Sequence, residues 1–213
     1  KYLEWLSVVA KSMKRVLILG SHCDDIELGC GGTLHKHRNN WKTTCAVFMK
    51  HGDHIGLKNL YKSSEMALTT LGVQDVRHYD LPVNDHHKHR QEIWKKLHEL
   101  EKEIQPDLVI TQQPDEHQDH ETMYKETIRN FRKSSVLSYR SSIRNCMNFE
   151  YHVFEPLSSD DVLAKQEALK IYDMYTDKVY FKPENIEAML RVQGIYVEEE
   201  FAEIFGSIKI VGL

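Results

Sequence analysis

Two short stretches of this 213-residue chain combine residue types that can bind a cation and move protons. The first is Ser21-His22-Cys23-Asp24-Asp25, with one imidazole and two carboxylates inside four residues. The second is Gln113-Pro114-Asp115-Glu116-His117-Gln118-Asp119-His120. His117 and His120 stand three apart, so a helical start there would turn both rings to one face. Imidazole and carboxylate together suit zinc or a similar divalent ion. A lone His-x-x-His is a weak signal, but two independent His/Asp clusters become a strong one when each follows a buried strand.

Both clusters do follow such runs. Val16–Leu19 is apolar and closed by Gly20, and Leu108–Thr111 precedes the second cluster. Between them the pattern alternates. A helix is expected from about Ile26 to Arg38, a strand over Thr43–Met49, a helix over Lys58–Leu71 and a strand over Val76–Tyr79. An amphipathic helix over Gln91–Ile104 ends at Pro106, and after the Leu108 strand come a helix over His120–Phe131 and a strand over Val136–Tyr139. This alternation predicts an α/β fold, Rossmann-like and doubly wound, with a mainly parallel sheet. In such sheets chemistry collects beyond the carboxyl ends of the strands, where both clusters would then lie. Further on, Tyr151–Glu155 reads as a strand, Asp160–Tyr172 and Pro183–Val192 as helices, and Phe201–Gly206 as a lead into a strand at Ser207–Val211. These are expected to form a smaller C-terminal α+β cap on one domain spanning residues 13–213. Residues 1–12 read as an N-terminal extension of uncertain origin.

Composition narrows the partners. A net charge of −4 without a dense Lys/Arg block gives no footprint for nucleic acid. No apolar run reaches membrane-spanning length, and no secretory pattern is seen. The four cysteines lack CxxC spacing and are too sparse for a disulfide framework, which favours a cytoplasmic location. Cys45, in an apolar run, is expected to be a core thiol. Oligomeric state is left open.

The residues carry a resemblance. Ser21–Asp25 followed by Gly29-Cys30-Gly31-Gly32-Thr33-Leu34 resembles the His-Pro-Asp-Asp signature of the PIG-L/LmbE-like zinc deacetylases, with Cys23 where the family usually has Pro. His117-Gln118-Asp119-His120 is similar to its second motif, His-x-Asp-His. The resemblance extends weakly to Glu65, the Leu81-Pro82 step and Ala202–Phe205. It implies His22, Asp25 and His120 as ligands of zinc (or another divalent metal), Asp24 as general base and His117 as the imidazole that stabilises the transition state. Asp119 matches a motif acid that orients a neighbour. Such a set is chemically coherent: two imidazoles and a carboxylate leave room on zinc for water and a substrate oxygen, and an unspent carboxylate beside them can take a proton.

Each residue also has a plainer reading. Asp24 and Asp25, and likewise Asp119, could simply cap helices. Glu116 and Glu121 are expected to be solvated. The Gly29–Gly32 run lacks nucleotide-loop spacing. His51, in the polar turn Lys50–His54, is a candidate for shaping a substrate pocket, as are Asn84 and Asp85, which stand near where relatives carry a substrate-contacting acid. His86, His87 and His89 read as a solvated loop rather than a metal site. The expected activity is metal-dependent removal of an N-acetyl group from an N-acetylglucosamine-type sugar or its conjugate, a small-molecule partner. A zinc amidase for another amide conjugate and a non-catalytic metal- or ligand-binding domain are the alternatives.

Overall fold

A computed structural model describes residues 13–49, 60–141, 150–175 and 177–212. Its strands are β1 (Lys14–Gly20), β2 (Trp41–Phe48), β3 (Asp75–Tyr79), β4 (Leu108–Gln112), β5 (Ser135–Tyr139), β6 (Val153–Leu157) and β7 (Phe201–Lys209). They form one seven-stranded sheet in the order β3-β2-β1-β4-β5-β7-β6. The first five are parallel, and β7 runs antiparallel to both β5 and β6. The chain order reverses between β1 and β4, where Val16 pairs with Leu108. That reversal opens a crevice at the carboxyl edge, the place where ligands bind in open α/β sheets.

The helices are α1 (Asp25–His37), α2 (Leu60–Thr70), α3 (Arg90–Ile104), α4 (Gln118–Asn130), α5 (Ser159–Lys170) and α6 (Pro183–Ile195). The period-2 alternation of the central strands assigns them to two layers. Val16, Ile18, Cys45, Val47 and Ile110 face α1, α2, α5 and α6 through Ile26, Leu34, Leu68, Leu169 and Leu190. Leu17, Leu19, Ala46, Phe48 and Val109 face α3 and α4 through Ile93, Leu97, Leu100 and Met123. Each such side chain contributes about 1.5–3 kcal/mol by leaving water, so the central strands hold β1 and β4 rigidly where the two clusters emerge.

Helix α1 is not one continuous coil. Cys30 leaves the helical region (φ −147°, ψ 24°), which breaks the backbone ladder in mid-helix. A buried ion pair repairs the break. Glu203 of β7 accepts from the backbone N–H of Gly32 (3.0 Å) and Thr33 (2.7 Å), while Lys165 of α5 donates to Leu28 O (2.7 Å) and to Glu203 itself (2.6 Å). The glycines of this helix are packing devices, as a methyl at Gly29 would overlap the Tyr139 ring and one at Gly32 the Leu157 side chain.

The last strand differs from expectation. It begins at Phe201, six residues before the Ser207 start expected from sequence, because Phe201–Gly206 is buried throughout and pairs with β6 on one side. Buried central strands lose the alternation that marks a half-exposed one. Elements after residue 150 therefore extend the sheet and cover its α1 face. Cys23, Cys30 and Cys45 are free, buried thiols, each pushed to higher pKa chiefly by burial. No helix among the described residues is long and apolar enough to cross a membrane.

Candidate active site

Two backbone-to-side-chain hydrogen bonds fix the loop after β1. Ser21 N donates to Gln112 Oε1 at the end of β4 (2.7 Å), tying the two strand ends together. His22 N donates to Asp25 Oδ2 (2.7 Å), a local turn that brings the imidazole back over the start of α1. Between them Asp24 adopts φ 107°, in the left-handed half of backbone space, at a cost of about 1–3 kcal/mol. Its side chain makes no capping bond to α1, so the simple helix-cap reading of Asp24 is set aside. The carboxyl group lies at the cleft, and burial together with the neighbouring Asp25 charge pushes its pKa well above the usual range.

The loop after β4 supplies the second half. Asp115 Oδ1 accepts from His117 N (2.7 Å), an Asx turn, and its Oδ2 lies 2.7 Å from His120 Nδ1. His117 Nδ1 then caps α4 by accepting from Asp119 N (3.2 Å). Asp119 is thus not the cap of that helix. Its fully buried carboxylate accepts from Asn84 N (2.7 Å) and His86 N (3.1 Å), and faces His22 Nε2 at 3.1 Å. Each of His22 and His120 therefore has one ring nitrogen engaged by a carboxylate, which fixes the ring and leaves the other nitrogen free for a cation.

Those free nitrogens converge. His22 Nδ1 and His120 Nε2 are 3.2 Å apart, Asp25 Oδ2 is 3.3 Å from the first, and Asp25 Oδ1 is 3.6 Å from the second. Ligand atoms on a tetrahedral zinc, with bonds of about 2.0–2.1 Å, stand about 3.3 Å from one another. The donor set thus fits a small divalent ion by both chemistry and spacing. A wider trio also exists, since one ring nitrogen from each of His22, His117 and His120 falls within 4.8 Å. Asp25 approaches the His22 and His120 nitrogens through one carboxylate oxygen each, and the capping bond already occupies His117 Nδ1, leaving Nε2 as that ring's N–H.

Electrostatics follow this layout. Burial opposes charge on His22, yet Asp119 and Asp25 outweigh it and raise its pKa to about 10; a cation bound at Nδ1 would have to displace that proton. Asp25 is lowered despite burial, by His120 and His22. Asp119 is held down to about 2, again against burial, by His22, His86 and two backbone N–H groups. His117 is brought down to about 4 by burial and by the facing His22 and His120. It is therefore a neutral ring at neutral pH, able to donate from Nε2.

The centre opens into a cleft of about 370 Å³. Asn84 lines it, whereas Asp85 does not and instead pairs with Lys88 (2.7 Å). His51 lies outside the described residues. Glu116 and Glu121 are exposed, as expected. The reading of His86, His87 and His89 as one solvated loop is corrected, because His86 is fully buried against Asp119 and His22. Its first-turn position before α3 buries it while its neighbours stay outside. Sequence reasoning missed Asp115, although its place two residues before His117 is an Asx-turn signature. It also missed Tyr175, Lys178 and Tyr180, which reach the cleft from far along the chain and carry no local motif.

Fold and site together define an α/β protein with a His/Asp centre in its switch-point crevice, whose donors have the chemistry to hold a divalent cation. The chain belongs to the PIG-L/LmbE family of deacetylases: the family model described as PIG-L, GlcNAc-PI de-N-acetylase, matches residues 17–131. It is 28% identical over 170 residues to the uncharacterised deacetylase YaiS of Escherichia coli K12, covering 76% of this chain and 91% of that one. Its fold is similar to that of N,N'-diacetylchitobiose deacetylase from Pyrococcus horikoshii (TM-score 0.73, 19% identity, 96% of this chain and 88% of that one). It is also similar to GalB, the 4-carboxy-2-hydroxymuconate hydratase of Pseudomonas putida KT2440 (TM-score 0.72, 14% identity, 94% and 98%). A deacetylase and a hydratase on one fold leave the reaction to be argued from the site.

Proposed function

We propose that this protein is a zinc-dependent N-deacetylase acting on an N-acetylglucosamine-type sugar or its conjugate. The observation that carries the reading is the convergence of His22, His120 and the Asp25 carboxylate, whose nearest donor atoms stand 3.2, 3.3 and 3.6 Å apart, with Asp24 beside them unused by capping and unpaired with either histidine. The family membership and the deacetylase relatives support an amide as the bond that breaks.

A divalent ion held by His22, Asp25 and His120 would acidify an attacking water and polarise the acetyl carbonyl. The remaining work falls to this chain's side chains. Asp24, adjacent to Asp25 and lining the cleft, takes the proton of the attacking water. His117, neutral and bonded through Nδ1 to the helix start, donates from Nε2 to the oxygen on which negative charge develops. As the C–N bond breaks, Asp24 returns its proton to the leaving nitrogen, so acetate and a free amine are the products. Asp119 and Asp115 act through the rings they hold, keeping His22 and His120 aimed at one point.

The test is amine release from a panel of N-acetylated glucosaminides by the zinc-loaded parent and Asp24→Asn. Asparagine keeps the size but cannot accept the proton, so turnover should fall by about 10²–10⁴-fold while zinc content stays at the parental level. Near-parental turnover in the variant would remove Asp24 from the mechanism, and a hydration product without amine would move the protein to the hydratase chemistry of its fold neighbour.

A further inference from the structure

The cleft has a wall that the deacetylation chemistry does not use. After α5 the chain makes two short 3-10 turns, Asp173–Tyr175 and Val179–Phe181, and from them Tyr175, Lys178 and Tyr180 reach the cleft that His22, Asp24, Asp25, His117 and His120 line. Lys178 N donates to Tyr175 O (2.9 Å), so the lysine backbone is pinned at the start of the second turn. Its ammonium lies 3.3 Å from the Tyr175 ring centroid and 5.5 Å from that of Tyr180. Among the described residues no carboxylate pairs with it, a trait it shares with several surface lysines, so what sets it apart is its place in the cleft. It is also the one lysine or arginine among the described residues lining this cleft.

An ammonium held against aromatic faces loses part of its water. Such a group is ready to receive an anion at little ordering cost, and a charge-assisted bond in this setting is stronger than a neutral one. Asp24 does not take that role, since it lies close enough to feel the lysine charge but forms no pair with it.

We propose that Lys178 is a specificity-determining residue that binds an anionic substituent, a carboxylate or a phosphate, on the group to which the acetylated amino sugar is attached. This rests on the deacetylase reading and adds to it a substrate class: acidic conjugates in preference to neutral ones. Tyr180 lines the cleft beside Lys178, next to where the body of that conjugate would lie, while the ammonium takes its charge.

The experiment compares three N-acetylglucosaminides of matched shape: phenyl, 4-carboxyphenyl and 4-phosphonophenyl. The zinc-loaded parent, Lys178→Met and Lys178→Arg are each assayed for amine release. In the parent both acidic glycosides should show lower KM than the phenyl one, and the ratio between carboxylate and phosphonate tells which anion the wall prefers. Lys178→Met keeps the stem on Tyr175 and removes the charge. It should raise KM for the acidic glycosides by about 10- to 100-fold, the worth of a hydrogen bond to a charged group. The phenyl glycoside and kcat should be left nearly unchanged, and Lys178→Arg should retain the acidic preference. Equal KM for all three in the parent, or an equal fall in kcat on all three in Lys178→Met, would overturn the proposal; the latter would mean that the lysine acts on Asp24. Amine from none of the three would refute the deacetylase reading instead. The same comparison by calorimetric binding to parent and Lys178→Met would then decide Lys178 by itself.

Discussion

Glu203→Gln tests how the chain holds its own chemistry in place. Glutamine preserves the volume but not the charge, and its single carbonyl oxygen can serve only one of the Gly32 and Thr33 N–H groups that the carboxylate now serves together. The Lys165 ammonium, whose side chain is 4% exposed, is left in the interior with Leu28 O as its remaining partner. Removing one partner of a buried ion pair costs about 3–5 kcal/mol, because the surviving charge is uncompensated. For a chain of this size about 2–4 °C of Tm accompanies each kcal/mol, so the melting temperature should fall by roughly 6–20 °C. Adding Lys165→Met should recover part of that loss, since no unpaired charge then remains and methionine can fill the stem volume. The two substitutions should thus be non-additive by about 0.5–3 kcal/mol. Thermal and urea unfolding of the parent, both single variants and the double variant close the cycle. A Glu203→Gln loss below about 1 kcal/mol, small among point substitutions, or strict additivity, would refute the claim that this pair repairs the broken helix ladder.

Other outcomes bear on the centre itself. Asp119→Asn should weaken zinc binding by about 10- to 100-fold, because the carboxylate that orients His22 is lost while the ligands stay; competition with a chelator of known affinity measures it. His117→Ala should lower kcat by about 10²–10³-fold with zinc content unchanged, as expected for a donor used mainly in the transition state. The same variant loses the side-chain cap of α4 and should lose about 0.5–2 kcal/mol of stability, which unfolding curves separate from the kinetic effect. Loss of zinc from His117→Ala would instead favour the wider histidine trio.

Much of this was legible in the sequence, for stated reasons. The apolar runs at Val16, Thr43 and Leu108 are strands because parallel sheets bury both faces, and the His/Asp clusters sit where their carboxyl ends must be. His22, Asp25 and His120 converge because β1 and β4 are neighbours at the switch point; the alternation of elements implies only that both loops share one sheet edge, and the choice of these three as ligands comes from the family resemblance. The supporting partners were harder to read. Asp115 lies inside a stretch rich in acids, and nothing in the spacing says which acid turns inward. His86 resembles its two histidine neighbours in sequence and differs only in burial. Lys165 and Glu203 meet across 38 residues, and Lys178 reaches the cleft from the far end of the chain, so no local pattern marks them. The start of β7 is hidden from the sequence because its first six residues, Phe201–Gly206, are all buried and show no alternation to read.

Zinc dependence of amine release is the most direct measurement of the central claim. The protein is stripped with a chelator, dialysed, and titrated with zinc while amine release from phenyl N-acetylglucosaminide is followed at each addition. The centre built from His22, Asp25 and His120 predicts no turnover in the stripped protein and recovery that rises to a plateau at about one zinc per chain. Full turnover in verified metal-free protein, unchanged by added zinc, would contradict it.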